Sequence, residues 1–259
     1  MMIKVFRWAL WLYYGVAFTF FGIVVVVGGI CFASEPRVTV ILCLLGIIPI
    51  IIICVWINNI AQKYYIKLNN ILNNQCDAQL HLEKLLAKTT KHPIALFDIS
   101  SAYSFVGDDK QVLVYAEHAK RKIGKIHKNI RWAYEVLYYN LLFSVALFSN
   151  DLPQAASCIK KIQSIEIKKG GRAVTLTLRF RLRIAEGNYD GAEAFFLICM
   201  EDTSHLLDRV KYSYILGDLY IKLGMHEKAR EYLEFVIQNG NMTRYVALAH
   251  TLLQIKDTN

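Results

Sequence analysis

The residue types that carry chemistry are all present in this chain, but not at the spacings that chemistry requires. Its seven histidines, His81, His92, His118, His127, His205, His226 and His250, are scattered, without the close pairing usual in a zinc site. There is no H-E-x-x-H, G-x-S-x-G, G-x-x-x-x-G-K-[ST] or G-x-G-x-x-G. Metalloprotease, α/β-hydrolase, P-loop and dinucleotide chemistry therefore lack their usual frames. Gly170-Gly171, flanked by Lys168, Lys169 and Arg172, comes nearest to a phosphate cradle, but glycine pairs mark flexible loops far more often. Asp108-Asp109 has no third ligand near it in sequence, and Asp at such a place caps a helix. Cys31, Cys43, Cys54, Cys76, Cys158 and Cys199 form no C-x-x-C and no compact disulfide framework, so buried reduced thiols are expected. No catalytic residue, metal site or cofactor is expected.

Charge says more. Between Lys120 and Arg183 there are fourteen basic residues against three acidic ones, and from Ile184 onward seven against eleven. The basic middle includes Lys120, Arg121, Lys122, Lys125, Lys128, Arg131, Lys168, Lys169 and Arg172. A solvated surface explains such a run. Two sharper readings are an anionic lipid surface, where each basic group is worth about 1 kcal/mol, and an acidic protein segment. Nucleic acid is disfavoured, because the aromatic platforms of single-strand binders are not visible there.

The elements that would position these residues begin with a membrane anchor. Of 259 residues 55% are hydrophobic, and mean hydropathy is +0.31, but this average hides two charge-free runs, residues 8–33 and 38–57. At about 1.5 Å per residue each crosses about 30 Å of hydrocarbon. Only Ser34-Glu35-Pro36-Arg37 separates them, which suits a turn and not a bilayer core. The alternative of a cleaved signal peptide requires a shorter apolar core and no second span. Lys4 and Arg7 before the hairpin, and Lys63 and Lys67 after it, place both termini in the cytoplasm. Trp8, Trp11, Tyr13, Tyr14, Trp56, Tyr64 and Tyr65 suit an interfacial belt, although ordinary packing also uses such residues. The expectation is an integral membrane protein of two spans, of a kind that suits a bacterial plasma membrane. Asn241-Met-Thr243 is formally a glycosylation sequon, but matters only outside the cell.

Beyond the anchor the pattern is helical. Ile60, Tyr64, Leu68, Ile71 and Leu72 recur at helical spacing, predicting a stalk over residues 58–88 that continues the second span. After Pro93 the chain reads as helix pairs: 95–105 with 111–123, 132–148 with 154–164, 173–185 with 191–200, and 206–223 with 227–238. A terminal helix over 242–255 would cap the last pair. Val174 to Ile184 alternates apolar and polar residues, a strand pattern, but its helical neighbours favour helix there.

Ala185-Glu-Gly-Asn-Tyr-Asp-Gly-Ala192 recurs in altered form as Lys222-Leu-Gly-Met-His-Glu-Lys-Ala229. The fourth pair, with Leu216-Gly217, Tyr220, Gly224 and Ala229, resembles a tetratricopeptide repeat. The third matches at Gly187, Ala192 and Phe196, with Arg183 where the family has Tyr. The second keeps Ala155 but has Asn150 for the turn Gly, and the first keeps Tyr103 and Gly107 with Val112 for the Ala. The turn residues lie 43, 37 and 37 positions apart, against a family period of about 34.

The expected architecture is all-α: a transmembrane helical hairpin (1–57) and a helical stalk or linker (58–93), read from hydropathy and spacing, and then, as the tetratricopeptide resemblance implies, an α-solenoid of helix pairs with a capping helix (94–259). The resemblance also implies that ligands lie on the concave face of the first helices. That face would carry Asn140 and Ser144, Thr177 and Arg181, and Tyr214 and Asp218, each pair one turn apart. The functional expectation is a membrane-anchored, cytosol-facing scaffold that binds a protein or peptide partner or assembles a membrane complex. The alternative is an accessory subunit of a membrane enzyme or transporter, its basic middle repeats docked on anionic lipid. The uncharged spans argue against transport by this chain alone.

Overall fold

The computed structural model describes residues 55–56, 59–60, 62–87, 91–168 and 173–256, of which 167, 168, 173, 255 and 256 by backbone alone. The chain divides into two units, Met1–Lys67 and Leu68–Asn259. In the first unit the described residues are helical, and Val55, Trp56, Tyr65 and Ile66 are exposed. The expected spans fall, apart from Val55 and Trp56, outside the described residues. Among the described residues no helix is long and apolar enough to cross a membrane.

The second unit is all-helical among its described residues. Its helices are α1 (Ala78–Leu86), α2 (Pro93–Val106), α3 (Asp109–Arg121), α4 (Lys128–Phe148), α5 (Leu152–Lys168), α6 (Ala173–Ala185), α7 (Ala192–Glu201), α8 (Leu206–Lys222), α9 (His226–Asn239) and α10 (Arg244–Lys256). A short 3-10 turn, Ile123–Lys125, leads into α4. The alternating stretch 174–184 is helix α6.

A left-handed residue closes the first helix of each pair: Gly107 (φ 97), Asn150 (φ 60), Gly187 (φ 82) and Gly224 (φ 72). In each case the next residue's N–H returns to a carbonyl five positions earlier. Asp108 donates to Tyr103 (3.1 Å), and Asp151 to Ala146, Asn188 to Arg183 and Met225 to Tyr220, all at 2.8 Å. This Schellman closure satisfies carbonyls that the helix end leaves open, and it needs a left-handed residue, which Gly and Asn tolerate best. The return helix then starts at once. Asp108 accepts from Gln111 N–H and Asp151 from Gln154 N–H, so two of the four starts carry an Asp cap. Five residues beyond each turn residue stands a side chain with no exposure: Val112, Ala155, Ala192 and Ala229. The three alanines let the two helices of their pairs approach, and Val112 fills the same place in the first pair. At the fourth pair the approach leaves no room for a Cβ on Gly217, which would lie 2.6 Å from Leu233 Cδ2 and 3.6 Å from the Ala229 carbonyl oxygen.

Buried clusters link the pairs in sequence. Leu96, Phe97, Val112, Ala116, Tyr138 and Leu141 join α2, α3 and α4. Val136, Phe143, Ala155, Ile159, Ile162, Leu178 and Leu182 join α4, α5 and α6. Ile184, Ala192, Phe196, Leu216, Tyr220 and Ala229 carry the packing through to α9. Two tyrosines tie one pair to the next: the Tyr138 hydroxyl donates to Glu117, and the Tyr220 hydroxyl to Glu193 at 2.6 Å.

The predicted stalk takes a different form. Helix over residues 62–73 stops at a turn in which Cys76 is left-handed (φ 50), and Asp77 caps α1 by accepting from Leu80 N–H at 2.9 Å. Leu68, Ile71, Leu72, Cys76 and Ala78 are buried, so from Leu68 on this segment is core. Burial pushes the Cys76 thiol up to about 11. His81 Nδ1 lies 3.0 Å from the Leu68 carbonyl; a carbonyl only accepts, so Nδ1 carries the proton.

Helix α10 does more than cap the last pair. Leu72, Cys76 and Ala78 share one cluster with Leu207, Val210, Leu233, Val236, Tyr245 and Ala249. Asn241 Nδ2 donates to the Gln75 carbonyl at 3.0 Å, and Arg244 reaches Asp109 and the Ser104 carbonyl. The array therefore closes on itself instead of remaining an open solenoid. The would-be sequon residues Asn241 and Thr243 are part of this closure, with Thr243 buried and its hydroxyl donating to the Gly240 carbonyl at 2.8 Å.

Gly217→Ala forces a methyl into Leu233, which is itself fully buried. It is expected to lower unfolding free energy by about 1–3 kcal/mol, read as a reduced denaturant midpoint.

Candidate inner-face binding site

Closure gathers side chains from α3, α4, α6, α8 and α10 at one place. Phe148, near the end of α4, is the shared surface. The Arg244 guanidinium carbon lies 3.7 Å from its ring centroid, and that of Arg181 lies 5.9 Å away. Arg181 also sits 5.4 Å from the Phe143 ring. The rings of Tyr214 and Tyr245 are 5.5 Å apart, and both phenols are close enough to Arg181 to influence its charge.

The cations here are held differently. Arg244 is bidentate to Asp109, Nη1 to Oδ1 at 2.8 Å and Nη2 to Oδ2 at 3.2 Å, and its side chain is 11% exposed. Its Nε is buried with no acceptor among the described residues. Lys211 meets Asp208 at 2.8 Å. Burial disfavours its ammonium, but Asp208 with Tyr245 and Tyr212 outweighs this and holds its pKa above the ordinary lysine value. Arg181 has no hydrogen bond or ion pair among the described residues. Burial, aided by the Arg244 charge, lowers its pKa, with Tyr245 and Tyr214 acting in the opposite direction; an arginine nonetheless remains charged. Burial and then Asp218 and Tyr245 raise the Tyr214 phenol, against the pull of Arg181 and Arg244, so it stays a neutral donor.

Of the six residues expected on this face, the structure brings Arg181 and Tyr214 together. Asp218 lies within electrostatic reach of Tyr214 but is engaged by Lys222 at 2.7 Å. Thr177 is half-buried one turn before Arg181, and Asn140 and Ser144 are half-buried on α4; among the described residues no hydrogen bond joins these three to Arg181 or Tyr214. Sequence reasoning missed Arg244, Tyr245, Lys211 and the two phenylalanines. The available signal was Arg244-Tyr245 itself, an arginine and a tyrosine opening a helix assigned only a covering role.

The basic residues separate into structural and free. Lys120 lies 3.8 Å from Glu135 and over the rings of Tyr138 and Tyr139. Arg131 Nη2 donates to the Gly124 and Ile126 carbonyls at 3.0 and 3.2 Å, fixing the 3-10 turn. Lys122 ends α3. Arg121, Lys125 and Lys128 are exposed; Arg121 is the last residue of α3, where positive charge is favoured, and Lys128 opens α4. Lys168 ends α5, while Lys169 and Arg172 lie outside the described residues. Buried Glu166 accepts from Val174 N–H and Thr175 N–H, both at 3.1 Å, and from the Thr175 hydroxyl. It caps α6 from the preceding helix.

Among the described residues no group of three His, Cys, Asp or Glu could hold a metal ion. No protein-family model, no curated protein and no solved structure matches the chain.

Glu166→Ala leaves two α6 N–H donors and a hydroxyl without their acceptor. It is expected to cost about 2–3 kcal/mol of stability, visible as a lower unfolding midpoint.

Proposed function

We propose that this chain is a membrane-anchored helical-repeat scaffold that holds a protein partner on the inner face of its repeats, on the cytoplasmic side. The observation that carries the reading is the recurrence of one turn at Gly107, Asn150, Gly187 and Gly224, each with the same 6→1 hydrogen bond. Recurrent pairs of this kind stack to make binding surfaces, because each repeat contacts only its neighbours and presents one helix inward. We read the pairs as tetratricopeptide-like on the residues that carry the resemblance. Anchoring rests on the two charge-free runs, on the exposed Val55 and Trp56 at the end of the second, and on the exposed Tyr65 and Ile66 beyond it. A tethered binder meets membrane-adjacent partners at high effective concentration.

The test is capture of the full chain from detergent extract, followed by mass spectrometry. The wild type is expected to retain a specific protein, and the Arg181→Ala/Tyr214→Ala variant to lose it. Retention of every partner by the variant overturns the inner-face reading.

A second reading has its own support. Arg121, Lys125 and Lys128 are exposed without an acidic partner among the described residues, and fit docking on anionic headgroups at about 1 kcal/mol per charge. In nanodiscs, amide exchange over residues 120–131 is then slower with phosphatidylglycerol than with phosphatidylcholine, and salt removes the difference. Equal exchange in both lipids excludes this contact.

A further inference from the structure

Every charged or polar group known to face the Phe148 ring is a hydrogen-bond donor. Arg181 presents five N–H donors and makes no hydrogen bond among the described residues; its guanidinium carbon lies 5.4 Å from the Phe143 ring centroid and 5.9 Å from that of Phe148. The buried Arg244 Nε is a further donor without an acceptor. The neighbouring carboxylates are committed elsewhere: Asp109 to Arg244, Asp208 to Lys211 and Asp218 to Lys222. Two guanidiniums thus share one aromatic ring, with one counter-charge between them. Arg181 is half-buried, so its donors are open to a ligand, and a cluster of this composition is short of negative charge, which an oxyanion supplies.

We propose that the inner face binds a single oxyanion group, carboxylate or phosphate, held by the Arg181 guanidinium, with the Arg244 charge and the Tyr214 and Tyr245 phenols near it. Guanidinium suits this role because its fork matches two oxygens of a carboxylate or phosphate at once. The surrounding rings thin out water and strengthen the attraction. The proposal rests on reading the inner face as the binding face. It adds the chemistry of what is bound, from either a free small anion or an acidic group of the partner.

The test uses the full chain in detergent, titrated with sodium phosphate against sodium chloride at matched ionic strength. Phosphate is expected to raise the unfolding midpoint saturably, and Arg181→Gln to weaken phosphate affinity at least tenfold. Arg181→Lys, which keeps the charge and loses the fork, should fall between. An identical response to both salts in the wild type, or an unchanged phosphate affinity in Arg181→Gln, overturns the site. Where Arg181→Gln loses helicity by circular dichroism, Tyr214→Phe carries the test, with at least threefold weakening expected and unchanged affinity counting against the site.

Captured protein distinguishes the two sources. Release of a copurifying protein by phosphate assigns the oxyanion to the partner; phosphate binding that releases nothing assigns it to a free anion. Both outcomes support the site. A retained partner with no phosphate response overturns the oxyanion site and leaves the scaffold reading intact. Phosphate binding with no copurifying protein overturns the scaffold reading and leaves the site standing.

Discussion

A stack of helix pairs always leaves two end faces uncovered, and this chain meets that constraint by joining its ends. The cluster of Leu72, Cys76 and Ala78 with Leu207, Val210, Leu233, Val236, Tyr245 and Ala249 buries both ends against each other. The rest of the inner face follows from this contact. It brings α10 against α2, allows Arg244 to take up Asp109, and places two guanidiniums on Phe148. Without the closure Arg244 would be a surface residue and Arg181 would look into solvent.

The turns were legible in the sequence because they are local. A left-handed residue, the helix end it closes and the small residue five places on lie within one short segment, and the same physics acts on each copy. Asn150 could stand for glycine because Asn tolerates a positive φ. The alternation over residues 174–184 was harder to interpret, since the same letters serve both periods. In the helix Leu178 and Leu182, four apart, face the core, while Leu176 is exposed at 46%. Thr175, although polar, is inside because Glu166 meets it.

The site was half legible. Arg181 and Tyr214 follow from position on first helices. Arg244 and Tyr245 do not, because nothing local shows that the last helix returns to the first pair across 135 positions. The segment read as a stalk shows the same limit. Leu68, Ile71 and Leu72 have helical spacing, but whether that stripe faces solvent, lipid or core is decided by α8, α9 and α10 far along the chain. The basic middle shows a related limit: composition counts Arg131 and Lys120 with the rest, whereas geometry engages one with carbonyls and the other with Glu135 and two tyrosines.

The closed array also constrains how the molecule can change over generations. An open solenoid lengthens or shortens freely, because a duplicated unit adds one interface and disturbs none. Here the number of pairs and the curvature per pair must together return α10 to α2. Gain or loss of one 37-residue unit would separate Arg244 from Asp109 and expose both halves of the closing cluster. Variation is therefore confined to side chains and loop lengths, and the repeat count is fixed by geometry.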